Sequence, residues 1–398
     1  MIPLTNNILS AVKGTIGRAL LLELWSAPWN SPQLKTIDEL GVALGTNTGT
    51  QRTRNEDRIA VAHVTSLNQE QFAVALVCDG VGGSEMGDVA ATLAIASFID
   101  ELTQVNTFLP LSNLLVELIR KMDDTTRSGL GGRGTTTASI VLASSTGQLV
   151  AANVGDSRIY SWKPNGLRLQ QVSVDDTIEN EFLKLAIKDV SVLDARGLRG
   201  KLSQAIGETG RGANDLRIVV LEKDKFEEGG MILATDGAWK AVEDGFRSLA
   251  LHATSATEAM RRIITFSAWT GGVDNVSIVA IEDILKFAKS GGDTVRQAST
   301  ASRATVWFCD NKFTMCNLIQ AAIVRHQAED QSKQTKSEAN RDKPKQKTTS
   351  RRKTSIPSPK KDEHQLKLMG NSDVKDKPSN KQQKAEISID DRDVPESL

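Results

Sequence analysis

Histidine, cysteine and tyrosine are scarce in this chain, with four, three and one in 398 residues. The four histidines, His63, His252, His326 and His364, show no His-Glu-x-x-His spacing, so a zinc hydrolase of that kind falls away. Cys78, Cys309 and Cys316 are odd in number and Cys78 stands in an apolar run, which argues against a disulfide framework and for a reducing, cytoplasmic compartment. Cys309 and Cys316 have no further cysteine or histidine to complete a zinc set and read as two ordinary thiols. No Gly-x4-Gly-Lys-Ser/Thr phosphate loop occurs. Charge of one sign is lacking too, since 49 Lys and Arg face 49 Asp and Glu, and this removes the electrostatic case for a specific nucleic-acid partner. No transmembrane segment is expected either, because Lys13, Arg18 and Glu23 interrupt the apolar N-terminal stretch and leave neither a span nor a signal peptide. With 39% of residues hydrophobic, the chain can build one sizeable core and has sequence left over for something less ordered.

What the chain does contain is one device used repeatedly. Phe72-Ala-Val-Ala-Leu-Val-Cys78 is an apolar run of strand length, and Asp79-Gly80-Val81-Gly82-Gly83 follows at once. Such a strand hands one carboxylate to a turn whose glycines let carbonyls and amides approach a ligand without a Cβ in the way. Taken singly, Asp-Gly after a strand is also a common way to build a tight turn. Three further stations alter the odds: Met231-Ile-Leu-Ala-Thr-Asp236-Gly237, Asp274-Asn275 before the strand from Val276, and Asn55-Glu56-Asp57 before the strand from Arg58. On one edge of a sheet, with Arg52 nearby, these four would form an oxygen-rich cage facing a cation.

Taken in order, Thr5-Asn6-Asn7 can cap a helix that places Ile8, Val12, Ile16, Leu20 and Leu24 on one face, to pack on its own domain or to dock a partner. The stretch from Trp25 through Pro28 to Pro32 reads as a connector. Helical spacing covers 86–102 and 111–122, two helices suited to covering a sheet. The β-branched run 134–142 precedes 149–154, Gly155-Asp156-Ser157 reads as a hairpin-like turn into 158–162, and Pro164-Asn165-Gly166 is the next hairpin signal. Short turns between consecutive strands mean antiparallel pairing. Residues 173–215 are a long surface excursion, a natural place for substrate contacts. Strands over 217–221 and 231–235, a helix over 256–268 and the strand after Asp274 close the core near Glu282. Beyond Lys289 the chain reads as loop to about 305, then as one more amphipathic helix over 313–324. From Gln327 its composition predicts a disordered tail, basic over 341–361 and acidic from Glu386, which either solubilises or binds a partner that the sequence does not identify.

Six motifs now stand in sequence order: Arg52-Thr-Arg-Asn55-Glu56-Asp57, Asp79-Gly80-Val-Gly82-Gly83, Gly134-Thr135-Thr136, Asn153-Val-Gly155-Asp156-Ser157-Arg158, Thr235-Asp236-Gly237 and Asp274-Asn275. Over residues 40–282 the chain resembles the metal-dependent serine/threonine protein phosphatases, the protein phosphatase 2C family, in its bacterial-type form. The resemblance implies an α+β fold: two antiparallel β-sheets packed face to face and flanked by helices, an α-β-β-α sandwich. It also implies hydrolysis of phosphoserine and phosphothreonine by a hydroxide bridging two Mn²⁺ or Mg²⁺ ions. In that scheme Asp79 bridges both ions, the Gly80 carbonyl binds one, Asp236 and Asp274 complete the other, and Glu56 and Asp57 act partly through bound water. Asp156 matches a position that helps to hold a third, weaker ion. Arg52 forks two phosphate oxygens, a task suited to its planar guanidinium; the plainer alternative for it is an ion pair with Glu56. Thr135 and Thr136 read as strand-packing residues. An oxygen cage without histidine or cysteine independently suits Mn²⁺ or Mg²⁺ over zinc.

Where some members of that family carry histidine directly after Asp-Gly, this chain has Val81, so no side-chain acid for the leaving alkoxide is implied there. Residues 175–201 match the family's flap poorly, which leaves substrate choice open. The expected organisation is an N-terminal helix and connector over 1–37, a catalytic domain over 38–288, a linker with a short helix over 289–326 and the disordered tail over 327–398. The implied substrates are phosphoproteins made by a serine/threonine kinase. The competing reading is a catalytically silent member that acts as a binding module through its tail; the presence of every metal-site carboxylate favours the enzyme.

Overall fold

The computed structural model describes residues 4–166, 168–185, 191–222, 226, 229–240, 243–290 and 301–317. The tail expected over 327–398 lies outside the described residues, as does the helix expected over 313–324 beyond residue 317. The described strands are β1 (Gln33–Ile37), β2 (Val42–Asn47), β3 (Arg58–Thr65), β4 (Gln71–Cys78), β5 (Ala138–Ser144), β6 (Leu149–Val154), β7 (Arg158–Lys163), β8 (Arg168–Gln171), β9 (Val219–Glu222), β10 (Gly230–Ala234), β11 (Val276–Ile281), β12 (Arg303–Phe308) and β13 (Asn311–Cys316). The helices are α1 (Asn6–Ala11), α2 (Thr15–Ser26), α3 (Gly87–Thr103), α4 (Leu111–Leu130), α5 (Ile178–Lys184), α6 (Ser191–Ala195), α7 (Asp236–Trp239), α8 (Glu243–Leu251), α9 (Ala256–Trp269) and α10 (Ile284–Ser290).

The apolar runs become strands buried on both faces. Phe72 through Cys78 in β4 and all of β5 are buried, because one face meets the second sheet and the other meets helices. The sheets are ordered β1-β2-β11-β10-β7-β8 and β13-β12-β3-β4-β5-β6-β9, with antiparallel pairing throughout. On the outer face of the larger sheet α3 packs on β3 and β4 while α4 reaches β6; α9, with α8 beside it, packs on β2 and β11 of the smaller one. The expected two-sheet sandwich with flanking helices is the fold observed.

Where the chain changes sheet matters most for the site. The connection from β2 to β3 carries Arg52, Glu56 and Asp57, and the connection from β6 to β7 carries Asp156; both pass from one sheet to the other. Gly155-Asp156-Ser157 is therefore a crossover, not the hairpin-like turn its composition suggests. The register puts the end of β4 beside the start of β3, and the end of β10 beside the start of β11. The four acidic stations thus share one end of the sandwich.

Three expectations at the chain's margins change. The N-terminal helix is two helices, although Ile8, Val12, Ile16, Leu20 and Leu24 are all buried as their spacing required. The break at Gly14 is captured by Asp100 of α3, whose carboxylate accepts from the Gly14 and Gly17 amides at 2.8 and 2.9 Å. The connector expected up to residue 37 ends in a strand, since β1 pairs with β2 along its whole length. Instead of a linker with a short helix, 303–316 forms a hairpin in which β12 pairs with β3 and covers its free edge.

Asp100 is 2% exposed and caps α2 from a distant element. Asp100→Ala should lower unfolding stability by about 1–3 kcal/mol, the scale of a lost buried cap. Thermal denaturation followed by circular dichroism measures this, and an unchanged midpoint would show that the cap contributes nothing.

Candidate active site

Asp79 leaves β4 with its main chain already fixed. Its amide donates to Thr137 Oγ1 at 3.0 Å, and its carbonyl accepts from the Thr136 hydroxyl and the Thr137 amide, each at 2.8 Å. Thr137 Oγ1 also bonds Ser157 Oγ at 2.7 Å, so the β6–β7 crossover braces the same point. Thr136 lies outside the regular strand and forms single bridges to Gly80 and Ile206; it positions Asp79, where the sequence suggested strand packing. At Gly80 an added Cβ would lie 2.5 Å from the Gly87 carbonyl and 2.8 Å from that of Glu56, so the backbone passes where only glycine fits.

Asp57 is fully buried before β3. Thr235 donates to its Oδ2 at 3.0 Å, while Oδ1 meets no hydrogen-bond partner. Asp236 opens α7 directly after β10, and Asp274 precedes β11. Asn275 ties these carriers together: its Nδ2 donates to the carbonyls of Thr48 and Arg54 at 2.8 and 3.1 Å, and its Oδ1 accepts from the Glu56 amide at 2.7 Å. An added Cβ at Gly237 would come within 2.0 Å of the Asn275 carbonyl, so α7 and the Asp274-Asn275 segment are pressed together.

These carboxylates repel one another. Burial raises the Asp79 carboxyl well above its usual range, with Asp57, Asp236, Asp156 and Asp274 adding to the effect. Burial likewise pushes Asp57 up to about 7, aided by Asp236 and Asp274 against the pull of hydroxyl donors. Protein cations supply the opposing charge. Arg52 pairs with Asp274 at 2.8 Å, Arg54 with Glu56 at 2.6 Å, and Lys240 with Asp156 and Asp236 at 3.0 and 2.8 Å. The ion pair considered for Arg52 with Glu56 is thus made by Arg54. Among the described residues no three His, Cys, Asp or Glu side chains close into a ready metal-holding group.

A cleft of about 420 Å³ opens over this arrangement, lined by Arg52, Glu56, Asp79, Gly80, Asp156, Asp236, Asp274 and Lys240, with Lys201 and Gln204 from the 173–215 excursion. The base of that excursion is fastened to the site: Arg158 forks Asp175 at 2.8 to 3.1 Å and stacks on Trp239 of α7, and Asp176 accepts from the Gly155 amide and from Gln204. Lys240 is the residue that sequence reasoning missed. Its signal was present, as it lies four positions after Asp236, the spacing at which helical side chains meet.

A family model described as Protein phosphatase 2C matches residues 41–181, which hold Arg52, Glu56, Asp57, Asp79, Gly80 and Asp156. The serine/threonine phosphatase stp of Listeria welshimeri is 28% identical over 249 residues, covering 60% of this chain and 93% of that protein. The matched residues are a protein phosphatase 2C domain. Protein phosphatase PhpP of Streptococcus pneumoniae is a further relative, 24% identical over 253 residues and covering 60% of this chain and 96% of its own. The S. agalactiae serine/threonine phosphatase structure shares the fold at a TM-score of 0.50, with 20% identity over 60% of this chain and 97% of that one. The matched residues run from β2 to α5, while α1, α2, β1 and the elements from α6 onward, the β12–β13 hairpin included, lie outside the matched model.

The residues fit hard divalent cations. An orphaned buried oxygen on Asp57, a glycine backbone that permits close approach at Gly80 and a donor set made only of oxygen all suit Mn²⁺ or Mg²⁺. A pH dependence follows. With Asp57 raised from 3.8 to about 7, the folded chain binds more protons than the unfolded chain between those values, so metal-free stability falls as pH rises through that window. Scanning calorimetry in EDTA should give a lower midpoint at pH 8 than at pH 5, and Mn²⁺ should raise it more at pH 8. An equal Mn²⁺ effect at both pH values would remove these carboxylates from the binding site.

Proposed function

We propose that this chain is a metal-dependent protein phosphatase that hydrolyses phosphoserine and phosphothreonine in proteins phosphorylated by a serine/threonine kinase. The observation that carries the reading is the partnerless Asp57 oxygen, buried among carboxylates that share one end of the sandwich. Asp57, Asp79, Asp236, Asp274 and the Gly80 carbonyl would hold two Mn²⁺ or Mg²⁺ ions, with Glu56 beside them. Such a pair supplies a water of lowered pKa and positive charge against the phosphoryl oxygens.

The chain's own residues bind and orient. Arg52, its side chain 42% exposed at the cleft, offers its fork to the phosphate, exchanging Asp274 for the incoming dianion. Gly82 keeps the approach open, since a Cβ there would lie 3.3 Å from Arg52 Nη1. Lys201 faces the same space from the excursion and suits contacts with the substrate chain. Val81 holds no transferable proton, so the leaving seryl or threonyl oxygen takes its proton from water. Hydrolysis then consumes one water and releases inorganic phosphate and the free hydroxyl. A silent scaffold has no use for buried, mutually repelling carboxylates, which favours the enzyme.

Purified full-length chain should release phosphate from a phosphothreonine peptide only with Mn²⁺ or Mg²⁺. Asp79→Asn should lower turnover by about 10³-fold or more, because a neutral amide cannot balance two dications, and Arg52→Ala should cost about 10²-fold in kcat/KM, the scale of one lost transition-state contact. Wild-type turnover by Asp79→Asn that remains folded by circular dichroism would refute the proposed centre.

A further inference from the structure

We propose that Lys240 is a resident cation of the cleft: its ammonium holds the place between Asp156 and Asp236 that a third metal ion would take, so the chain works with two. The inference rests on the two-ion reading and goes one step past it, replacing the third ion that the sequence suggested at Asp156.

Geometry carries the argument. Lys240 Nζ lies 3.0 Å from Asp156 Oδ2 and 2.8 Å from Asp236 Oδ2, so one ammonium joins the β6–β7 crossover to α7. Its backbone is fixed in the same turn, because the Lys240 amide donates to the Asp236 carbonyl at 2.7 Å. The turn itself is held from outside the cleft. Trp239 is stacked under Arg158, and Arg158 is forked to Asp175. Lys240 therefore reaches the two carboxylates from a braced backbone and lines the same cleft as Arg52.

The charges lead to the same conclusion. Asp156 and Asp236 are largely buried, with side chains 8% and 20% exposed, and a like-charged pair in that setting needs a cation. A covalently attached ammonium supplies it at any ion concentration. A dication arriving at the same two oxygens would have to displace that ammonium or sit against its charge. Each carboxylate keeps a second oxygen, so Asp236 can serve the two-ion centre while it holds Lys240.

Equilibrium counting of bound Mn²⁺ by calorimetry tests this without relying on activity. Wild-type chain should bind two ions. Lys240→Met, which keeps an unbranched stem without the charge, and Lys240→Gln should each gain one further, weaker ion, while Lys240→Arg should remain at two. Adding Asp156→Asn to Lys240→Met should abolish the gained ion. Three ions in the wild type, or two in every variant, would overturn the inference and leave the two-ion reading standing. No ion in the wild type would overturn both.

Discussion

Repulsion between buried carboxylates is the constraint that the rest of this structure answers. Two like charges 4 Å apart repel by about 4 kcal/mol at an effective dielectric near 20, against a typical folding margin of about 5–15 kcal/mol. A few uncompensated contacts of that kind would consume the whole margin. The sandwich tolerates them because each carboxylate is carried at the end of a strand or on a short sheet-to-sheet crossover, where the backbone cannot retreat. Arg52 and Lys240 from the cleft, and Arg54 from outside it, offset the charge. Rigid strands and protein cations divide the work: the first hold the charges together, and the second balance them.

Asn275 and Thr137 show how that rigidity is reached without more apolar core. Neither side chain is proposed to touch a substrate, yet Asn275 joins the α9–β11 connection to the β2–β3 connection at three points, and Thr137 joins β4 to the β6–β7 crossover. Buried polar groups with several partners each fix angles as well as distances. Apolar packing alone would leave the acidic loops free to swing apart.

Much of this was legible in the sequence, because an apolar run followed by Asp-Gly is a local pattern with local causes. Asp79 and Asp236 stand where that pattern puts them, Asp274 stands just before its strand, and β3, β4, α3 and α9 follow their periodicity. What was not legible depends on partners distant in sequence. The break between α1 and α2 belongs to Asp100, some eighty positions away. Asp156 reads as a hairpin turn until the two strands beside it prove to lie in different sheets. The β12–β13 hairpin hides for another reason: its two-residue turn is Cys309-Asp310, with Cys309 at φ 45°, where glycine or asparagine usually announces the reversal. Its outer strand is also half-exposed, so its apolar residues do not mark a clear face.

The hairpin and the N-terminal connector meet at one indole. Trp29 stacks on Phe308 with centroids 6.2 Å apart, donates its Nε1 proton to the Leu24 carbonyl at 2.6 Å and lies under the Arg58 guanidinium at 4.8 Å. Arg58 in turn donates to the carbonyls of Asn55 and Asp57, so segments outside the family match reach the main chain of the most buried carboxylate. This arrangement has a cost in time. Strand β3 leaves the ribosome early, but β12, which covers its edge, pairs Arg303 with Thr65 from about 240 residues further along. At roughly 5–20 residues per second, translation leaves that edge open for about 10 to 50 seconds, an interval in which a nascent chain can pair with the wrong strand or be held by a chaperone.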